Sequence, residues 1–250
     1  RIEAGSYDSG YAVQDIDGLI IEGVDPKNPP RFEGGKEAWH FSRCDRLQLR
    51  HLFVRGQQAN GINIDDGGDR AHPTTKVLLS HIVVQDIGPK GNFDAIKCSG
   101  IDELVIENCQ IKGWGGQAID FVGCHRSIIR SCKIEGKEGY SCTSGIQLKG
   151  GCSEILVEEC TLIDAGPRPL NLGGSTGLDY FRPAGALYEA KQLTVRKNRI
   201  SGGECAAAFV GVDGCVFTEN TIQQPSKWIF RVLQETVEPG FAPCRQVVIE

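Results

Sequence analysis

The chain has 250 residues, of which 40% are hydrophobic and 24% are charged, and its formal net charge is -5. This composition predicts one soluble globular unit that buries a sizeable core. Acidic and basic residues are interspersed, which disfavours a nucleic-acid partner because binding to phosphates needs clustered Lys and Arg. No apolar run approaches the roughly 20 residues of a membrane span, so we expect none.

A repeat of short strands runs along the chain. Tetrapeptides recur in chain order as AWHF (38–41), GINI (61–64), AIKC (95–98), AIDF (118–121), GIQL (145–148), PLNL (169–172) and AAFV (207–210). Repeats of this length, punctuated by Gly, Asn and Asp, bury a continuous core only when they stack on one another. A leucine-rich repeat would show its LxxLxLxxN signature, and a propeller blade needs four strands in about 40 residues. We therefore predict an all-β fold, a single-domain parallel β-helix over residues 1–250.

The 11 cysteines include no CxxC pair, which disfavours a zinc site built from thiolates. Cys109, Cys132 and Cys160 each begin the same ending of a repeat, CQI, CKI and CTL, and Asn takes that position in the later CVFTENTI. A free cysteine behaves as a small hydrophobic residue. We predict a stack of interior thiols, with one or two disulfides as the alternative.

The third residue of each tetrapeptide is predicted to point outward, because side chains alternate along a strand. The resulting column is His40, Asn63, Lys97, Asp120, Gln147 and Asn171, and we assign Ala208, the second residue of AAFV, to the same column. A second column, two positions later, contains Asp65, Ser99, Val122 and Lys149. Neighbouring turns lie about 4.8 Å apart, so Lys97 and Asp120 should be adjacent. The columns are either a solvated surface with ion pairs such as Lys97 to Asp120, or a polar face that binds a ligand.

Two insertions interrupt the repeat, at 65–76 and 173–190, and both leave from the end of a first strand. Long loops in compact folds are usually functional or disordered, so we expect these two to wall the polar face into a groove. In the first loop, Asp65, Asp66 and Asp69 are hard oxygen ligands suited to Ca²⁺, or else form an acidic turn. In the second, Tyr180, Phe181 and Arg182 offer an aromatic platform and a cation for an acidic sugar, or else fold on themselves.

Several segments resemble right-handed β-helix repeat proteins of the pectate-lyase-like superfamily. They are DAIKCSG, AIDFVGCHRS, LNLGGSTGLDYFRP, YEAK, FVGVDG and RVLQE, and the resemblance covers about residues 40–250. The resemblance implies a right-handed parallel β-helix. It also implies that the protein comes from a bacterium that degrades complex polysaccharides and that it has an extracellular or periplasmic location. RIEAGSY resembles the first turn of such proteins, which a capping segment usually precedes, so we expect that the N-terminal cap is missing.

The resemblance implies β-elimination on an acidic, uronate-containing polysaccharide, with Ca²⁺ or another cation neutralising the carboxylate. Lys97 then matches the base, with Asp120, Arg182 and Arg231 as the other catalytic candidates. The substrate-binding candidates are His40, Asn63, Gln147, Lys149, Asn171, Tyr180 and Phe181. One alternative is a glycoside hydrolase or epimerase that uses Asp120 with Asp94 or Asp65. The other is a non-catalytic carbohydrate-binding or structural β-helix.

Overall fold

The computed structural model describes residues 1–174 and 176–250 and is built almost entirely of short parallel strands in three sheets. The first sheet contains Tyr11–Gln14, Trp39–Ser42, Ile62–Asp65, Ile96–Ser99, Gln117–Val122, Ser144–Lys149, Arg168–Gly173, Cys205–Val210 and Trp228–Leu233. The second contains Ile20–Glu22, Gln48–Arg50, Thr74–Thr75, Leu78–Ser80, Ile101–Asp102, Val105–Glu107, His125–Arg130, Cys152–Glu158, Ala190–Arg196, Val212–Thr218 and Arg245–Ile249. The third contains Ser6–Tyr7, Arg31–Glu33, Phe53–Arg55, Val83–Ile87, Gln110–Trp114, Lys133–Glu135, Thr161–Ile163, Arg199–Ser201 and Thr221–Gln223. The predicted all-β, parallel fold is confirmed.

The register of the first sheet aligns the first six tetrapeptides as the sequence predicts, whereas AAFV is offset by one residue and Ala208 pairs with Asn171. Lys97 pairs with Asn63 on one side and with Asp120 on the other. The same column continues to Gln147 and Asn171. Their strand neighbours Ile62, Ile96, Ile119, Ile146 and Leu170 are fully buried on the opposite face. The polar column therefore lies on the outer face of the first sheet.

One hydrophobic core runs through the stack between the three sheets. All eleven cysteines are free, which confirms the predicted thiols. The thiols of Cys109, Cys132 and Cys160 each donate to a carbonyl of the preceding turn, at 3.8 Å in every case. Asn198 continues this stack, because its side-chain amide donates to the Val157 carbonyl at 3.0 Å. One position in these four successive turns thus holds a small donor that satisfies a buried carbonyl.

Both insertions leave from the first sheet, at residues 65–76 and 173–190, and Ser175 of the second lies outside the described residues. The first ends in Thr74–Thr75, which pairs with Ile101–Asp102 and so joins the second sheet. The second contains the 3₁₀ turn Leu178–Tyr180. Within the described part of the chain, no helix is long and apolar enough to cross a membrane.

Candidate functional site

A cavity of about 500 Å³ lies on the outer face of the first sheet, between the two insertions. We call it the groove cavity. Both outward columns and both loops contribute to its lining, which includes Asn63, Asp65, Lys97, Ser99, Lys149 and Tyr180. The prediction that the insertions wall the polar face is confirmed.

Lys97 and Lys149 line the floor of the groove cavity, and Asp94 and Asp120 lie beneath them. We call these four side chains the charge cluster. The Lys97 ammonium group donates to Asp94 Oδ2 at 2.9 Å and to Asp120 Oδ2 at 2.8 Å. The Lys149 ammonium group lies 3.0 Å from the other Asp120 oxygen. Both carboxylates are 0% exposed, whereas the side chains of Lys97 and Lys149 are 25% and 16% exposed. The two ammonium groups therefore cover the carboxylates and face the cavity.

The charge cluster shifts the pKa values of its members in different directions. Burial disfavours the charged form of Lys97, but the negative charges of Asp120 and Asp94 outweigh burial and raise the pKa of Lys97. Burial and repulsion from Asp120 raise the pKa of Asp94. Burial acts in the same direction on Asp120, but the charges of Lys149 and Lys97 dominate and lower its pKa. Lys97 is thus held protonated, which opposes the predicted role of Lys97 as a free base.

The three carboxylates predicted to hold Ca²⁺ have separate partners. Asp65 accepts from the His40 ring at 2.7 Å, and Asp69 contacts the His72 ring at 2.9 Å. Asp66 is bound by the guanidinium group of Arg182. Within residues 1–174 and 176–250, no group of three or more His, Cys, Asp or Glu side chains is arranged to hold a metal ion. This arrangement of separately paired carboxylates does not fit a calcium site. Calcium binding stays a prediction, and no step of the proposed reaction uses it.

Arg182 joins the two insertions rather than facing a ligand. Its Nη2 donates to Asp66 Oδ1 at 2.6 Å, its Nε donates to Asp66 Oδ2, and its Nη1 donates to the Tyr180 carbonyl at 2.9 Å. The pair lies directly on two glycines with positive φ. A Cβ at Gly100 would approach Asp66 Oδ2 to 2.0 Å, and one at Gly123 would approach Arg182 Cβ to 2.4 Å. The structure therefore places Arg182 as a buried link between the loops, and its catalytic role stays a prediction.

Two other predicted residues lie away from the groove cavity. Phe181 is 1% exposed and packs edge-on against Phe241, so the aromatic platform consists of Tyr180 alone. The Arg231 strand is five strands from that of Lys97, which is roughly 24 Å at about 4.8 Å per strand. Arg231 instead lies over the ring of Trp228. Lys97 and Arg231 are therefore too far apart to belong to one catalytic centre, and the prediction that groups them is wrong.

The remaining substrate-binding candidates divide into two groups. Asn63, Lys149 and Tyr180 line the groove cavity, and Tyr180 is 64% exposed. His40 reaches the cavity only through its hydrogen bond to Asp65. Gln147 and Asn171 share the outward column but are almost completely covered. Of the first outward column, only Asn63 and Lys97 therefore face the groove cavity.

Sequence reasoning missed two residues that shape the cavity. Asn92 lines it from the segment before the Lys97 strand. Glu189 is fully buried, and its carboxylate accepts from the Gly150 amide and from the Thr176 amide and hydroxyl, each at 2.9 Å. Glu189 thus fixes Thr176 in the cavity wall. No sequence signal marked it, because its partners come from different turns.

The fold and the site define this protein as a parallel β-helix with a walled, charged cavity over its first sheet. Residues 40–222 match the family of the right handed beta helix region, and the chain belongs to that family. Comparison with curated proteins gives no match.

Solved structures share the fold at low sequence identity. The alginate lyase from Paenibacillus sp. str. FPU-7 has a TM-score of 0.57 and 15% identity, over 92% of this chain and 91% of that chain. The DFA-IIIase from Arthrobacter chlorophenolicus A6, without its lid and in complex with GF2, has a TM-score of 0.58 and 13% identity. That match covers 89% of this chain but 57% of the DFA-IIIase chain. At such identities the likeness concerns the fold.

Proposed function

We propose that the groove cavity binds an acidic polysaccharide and that the protein cleaves it by β-elimination. The observation that carries this proposal is the pair of ammonium groups on the cavity floor. Lys97 uses two of its three N–H donors on Asp94 and Asp120, and Lys149 pairs with Asp120 alone. The remaining donors face the cavity, where they can meet the carboxylate of a uronate sugar.

The chemistry follows from the protonated state of Lys97. In β-elimination, a base takes the proton from the carbon next to the uronate carboxylate, and the electron pair of that C–H bond becomes the new carbon–carbon double bond. The bond from the following carbon to the glycosidic oxygen breaks, and the leaving oxygen takes a proton from a general acid. Negative charge then accumulates on the carboxylate. Fixed cations that meet this charge stabilise the transition state, typically by a factor of 10²–10³ per donor. Lys97 and Lys149 therefore act as the neutralising cations, a role for which the raised pKa of Lys97 is an advantage.

Tyr180 is our candidate for the proton-transfer group. Both oxygens of Asp65 are already occupied, by His40 and by the Gly67 amide. The Tyr180 hydroxyl is exposed at the cavity and has no hydrogen-bond partner among the described residues. Tyrosine serves as a general acid or base in enzymes. A fold of this kind occurs in an alginate lyase, so the scaffold is compatible with such a reaction.

The test is the ultraviolet absorbance of the unsaturated product, measured with alginate, polygalacturonate and a neutral glucan. We expect an absorbance rise on a uronate polymer and none on the glucan. Lys149→Met and Tyr180→Phe should lower the rate by at least 100-fold. Lys112→Met, on the outer face of the third sheet, is the matched control and should retain full activity. The absence of an absorbance rise on every uronate polymer would refute the lyase proposal.

A glycoside hydrolase is the second candidate, because Asp94 and Asp120 have pKa values shifted in opposite directions. Such a split separates a general acid from an ionised carboxylate in hydrolases. The burial of both groups beneath Lys97 opposes this role. New reducing ends without ultraviolet absorbance would favour the hydrolase. Saturable binding with neither product would favour a carbohydrate-binding protein. An extracellular or periplasmic location remains a prediction that accompanies either activity.

A further inference from the structure

A second cavity, of about 380 Å³, lies on the other side of the Asp66–Arg182 pair, over the turn between the first and second sheets. We call it the basic cavity. Both insertions contribute to it, and so does the outer face of the second sheet. The side chains that matter here are Arg70, His125, Arg126, Ser153, Tyr188 and Lys191.

The basic cavity has an excess of positive charge. Asp66 is neutralised by Arg182, and Asp102 by Arg126. Asp213, which is next to Lys191 in the sheet, is bound by both arms of Arg245.

Two cations then remain without an acidic partner. Within the described part of the chain, neither Arg70 nor Lys191 forms an ion pair. Glu154 is the remaining carboxylate whose charge reaches His125.

Several side chains that line this cavity have donors without a hydrogen-bond partner among the described residues. The Lys191 ammonium group lies 4.5 Å from the centre of the Tyr188 ring, which leaves its N–H donors free for a ligand. His125 Nδ1 is 2.8 Å from Ser153 Oγ, so Nε2 is available. Arg70 is exposed on the first insertion and offers a planar guanidinium fork that matches oxyanions.

We propose that the basic cavity binds an oxyanion, a sulfate or carboxylate group carried by a saccharide, through Arg70, Lys191 and His125. The cavity shares Asp66 and Arg182 with the groove cavity, so one saccharide chain can reach both. The choice of a saccharide as carrier rests on the proposed function, whereas the anion site itself does not. Arg182 is not a ligand in this proposal, because each of its three guanidinium nitrogens already donates to Asp66 or to the Tyr180 carbonyl.

His125 provides a local reporter for this site. Burial lowers the pKa of His125, with smaller opposing effects from Asp102 and Glu154 and smaller lowering effects from Arg126 and Lys191. A bound anion next to the ring favours its charged form and should raise that pKa. The ring signals of the five histidines are followed by NMR at low ionic strength, and His125→Gln assigns the signal of interest.

The first arm titrates the protein with inorganic sulfate, against sodium chloride of equal ionic strength. We expect a saturable shift of the His125 signal with sulfate only. The double variant Arg70→Gln, Lys191→Gln should weaken this binding at least tenfold, while Lys112→Gln leaves it unchanged. Arg70 is exposed and Lys191 is half-exposed, and neither forms an ion pair among the described residues, so both can be replaced without disturbing the fold, which circular dichroism verifies. An equal shift in the double variant, or equal shifts of all five histidines, overturns the anion site.

The second arm compares inorganic sulfate with glucose 6-sulfate and with trigalacturonate. Tighter binding of either saccharide than of sulfate, with the same His125 shift, supports a saccharide carrier. Binding of inorganic sulfate alone overturns the saccharide carrier. Because the His125 signal reports on the basic cavity, the result is independent of whether the groove cavity cleaves anything. A loss of the proposed lyase activity therefore cannot be mistaken for a loss of this site.

Discussion

Replacing Lys97 with Met should destabilise the protein by leaving a buried carboxylate without its cation. In this variant Asp120 still forms its ion pair with Lys149. Among the described residues, the Asp94 carboxylate retains only the hydrogen bond from the Gln117 backbone amide, at 2.8 Å. Breaking a buried ion pair costs about 3–5 kcal/mol. Protonation of Asp94 limits the loss, because neutralising a carboxyl of ordinary pKa at pH 7 costs about 4 kcal/mol. We therefore expect the free energy of unfolding to fall by about 2–4 kcal/mol.

The assay is urea denaturation followed by circular dichroism. The matched control is Lys112→Met, which breaks an exposed pair with Glu135 and should cost no more than about 1 kcal/mol. Adding Asp94→Asn to the Lys97→Met variant should restore at least half of the lost stability, because the second change removes the buried charge. The reasoning is refuted if Lys97→Met is as stable as the control, or if Asp94→Asn restores nothing.

The pH dependence supplies a second check with a definite sign. The folded pKa of Lys97 is raised, so its contribution is complete below about pH 10.4, its unfolded value, and is lost as pH rises through the folded pKa. In the Lys97→Met variant the folded pKa of Asp94 rises further, so the variant gains stability as pH falls from 7 toward about 4. The gap between the two proteins should therefore be widest near neutral pH. A gap independent of pH contradicts this account.

Three other outcomes follow from the walls of the cavity. Arg182→Met should lower the free energy of unfolding by about 3 kcal/mol and speed chymotrypsin cleavage in the insertions, because Asp66 loses the only cation that pairs with it among the described residues. Unchanged cleavage would refute the linking role. Glu189→Gln should weaken saccharide binding in calorimetry about tenfold while circular dichroism is unchanged, because Thr176 is released. A calcium site with a Kd of about 10 μM would raise the free energy of unfolding by about 2.7 kcal/mol in 1 mM Ca²⁺. We expect no rise in Tm when calcium is added, and a rise would support the predicted calcium site.

The repeat made the fold and the register predictable. Strand alternation assigns Ile96 and Lys97 to opposite faces, and the equivalent Ile119 and Asp120 follow one turn later. Parallel stacking then places Lys97 next to Asp120, as the structure confirms. The insertions were visible as breaks in the period, so the position of the groove was predictable as well. These features are local or periodic, and a sequence records both directly.

Burial and long-range pairing were not predictable in the same way. Phe181 belongs to the same short segment as Tyr180, yet one is buried and the other is exposed, because a 3₁₀ turn separates their directions. Arg182 pairs with Asp66, which is 116 residues away. Asp94 lies before its strand, outside the outward columns, and reaches Lys97 only because the chain bends there. A linear pattern contains no information on such meetings between loops.

The charge cluster contributes little net stability relative to apolar packing, and this supports a role for it in binding. Burying two carboxylates requires desolvation that the lysines only partly offset, and well-packed apolar residues would often serve the fold equally well. What apolar residues could not do is keep two ammonium groups side by side at the floor of a cavity. Asp120 binds one lysine through each oxygen and so sets their spacing. The arrangement fixes two ammonium groups side by side. Such a pair suits a ligand with negative charge.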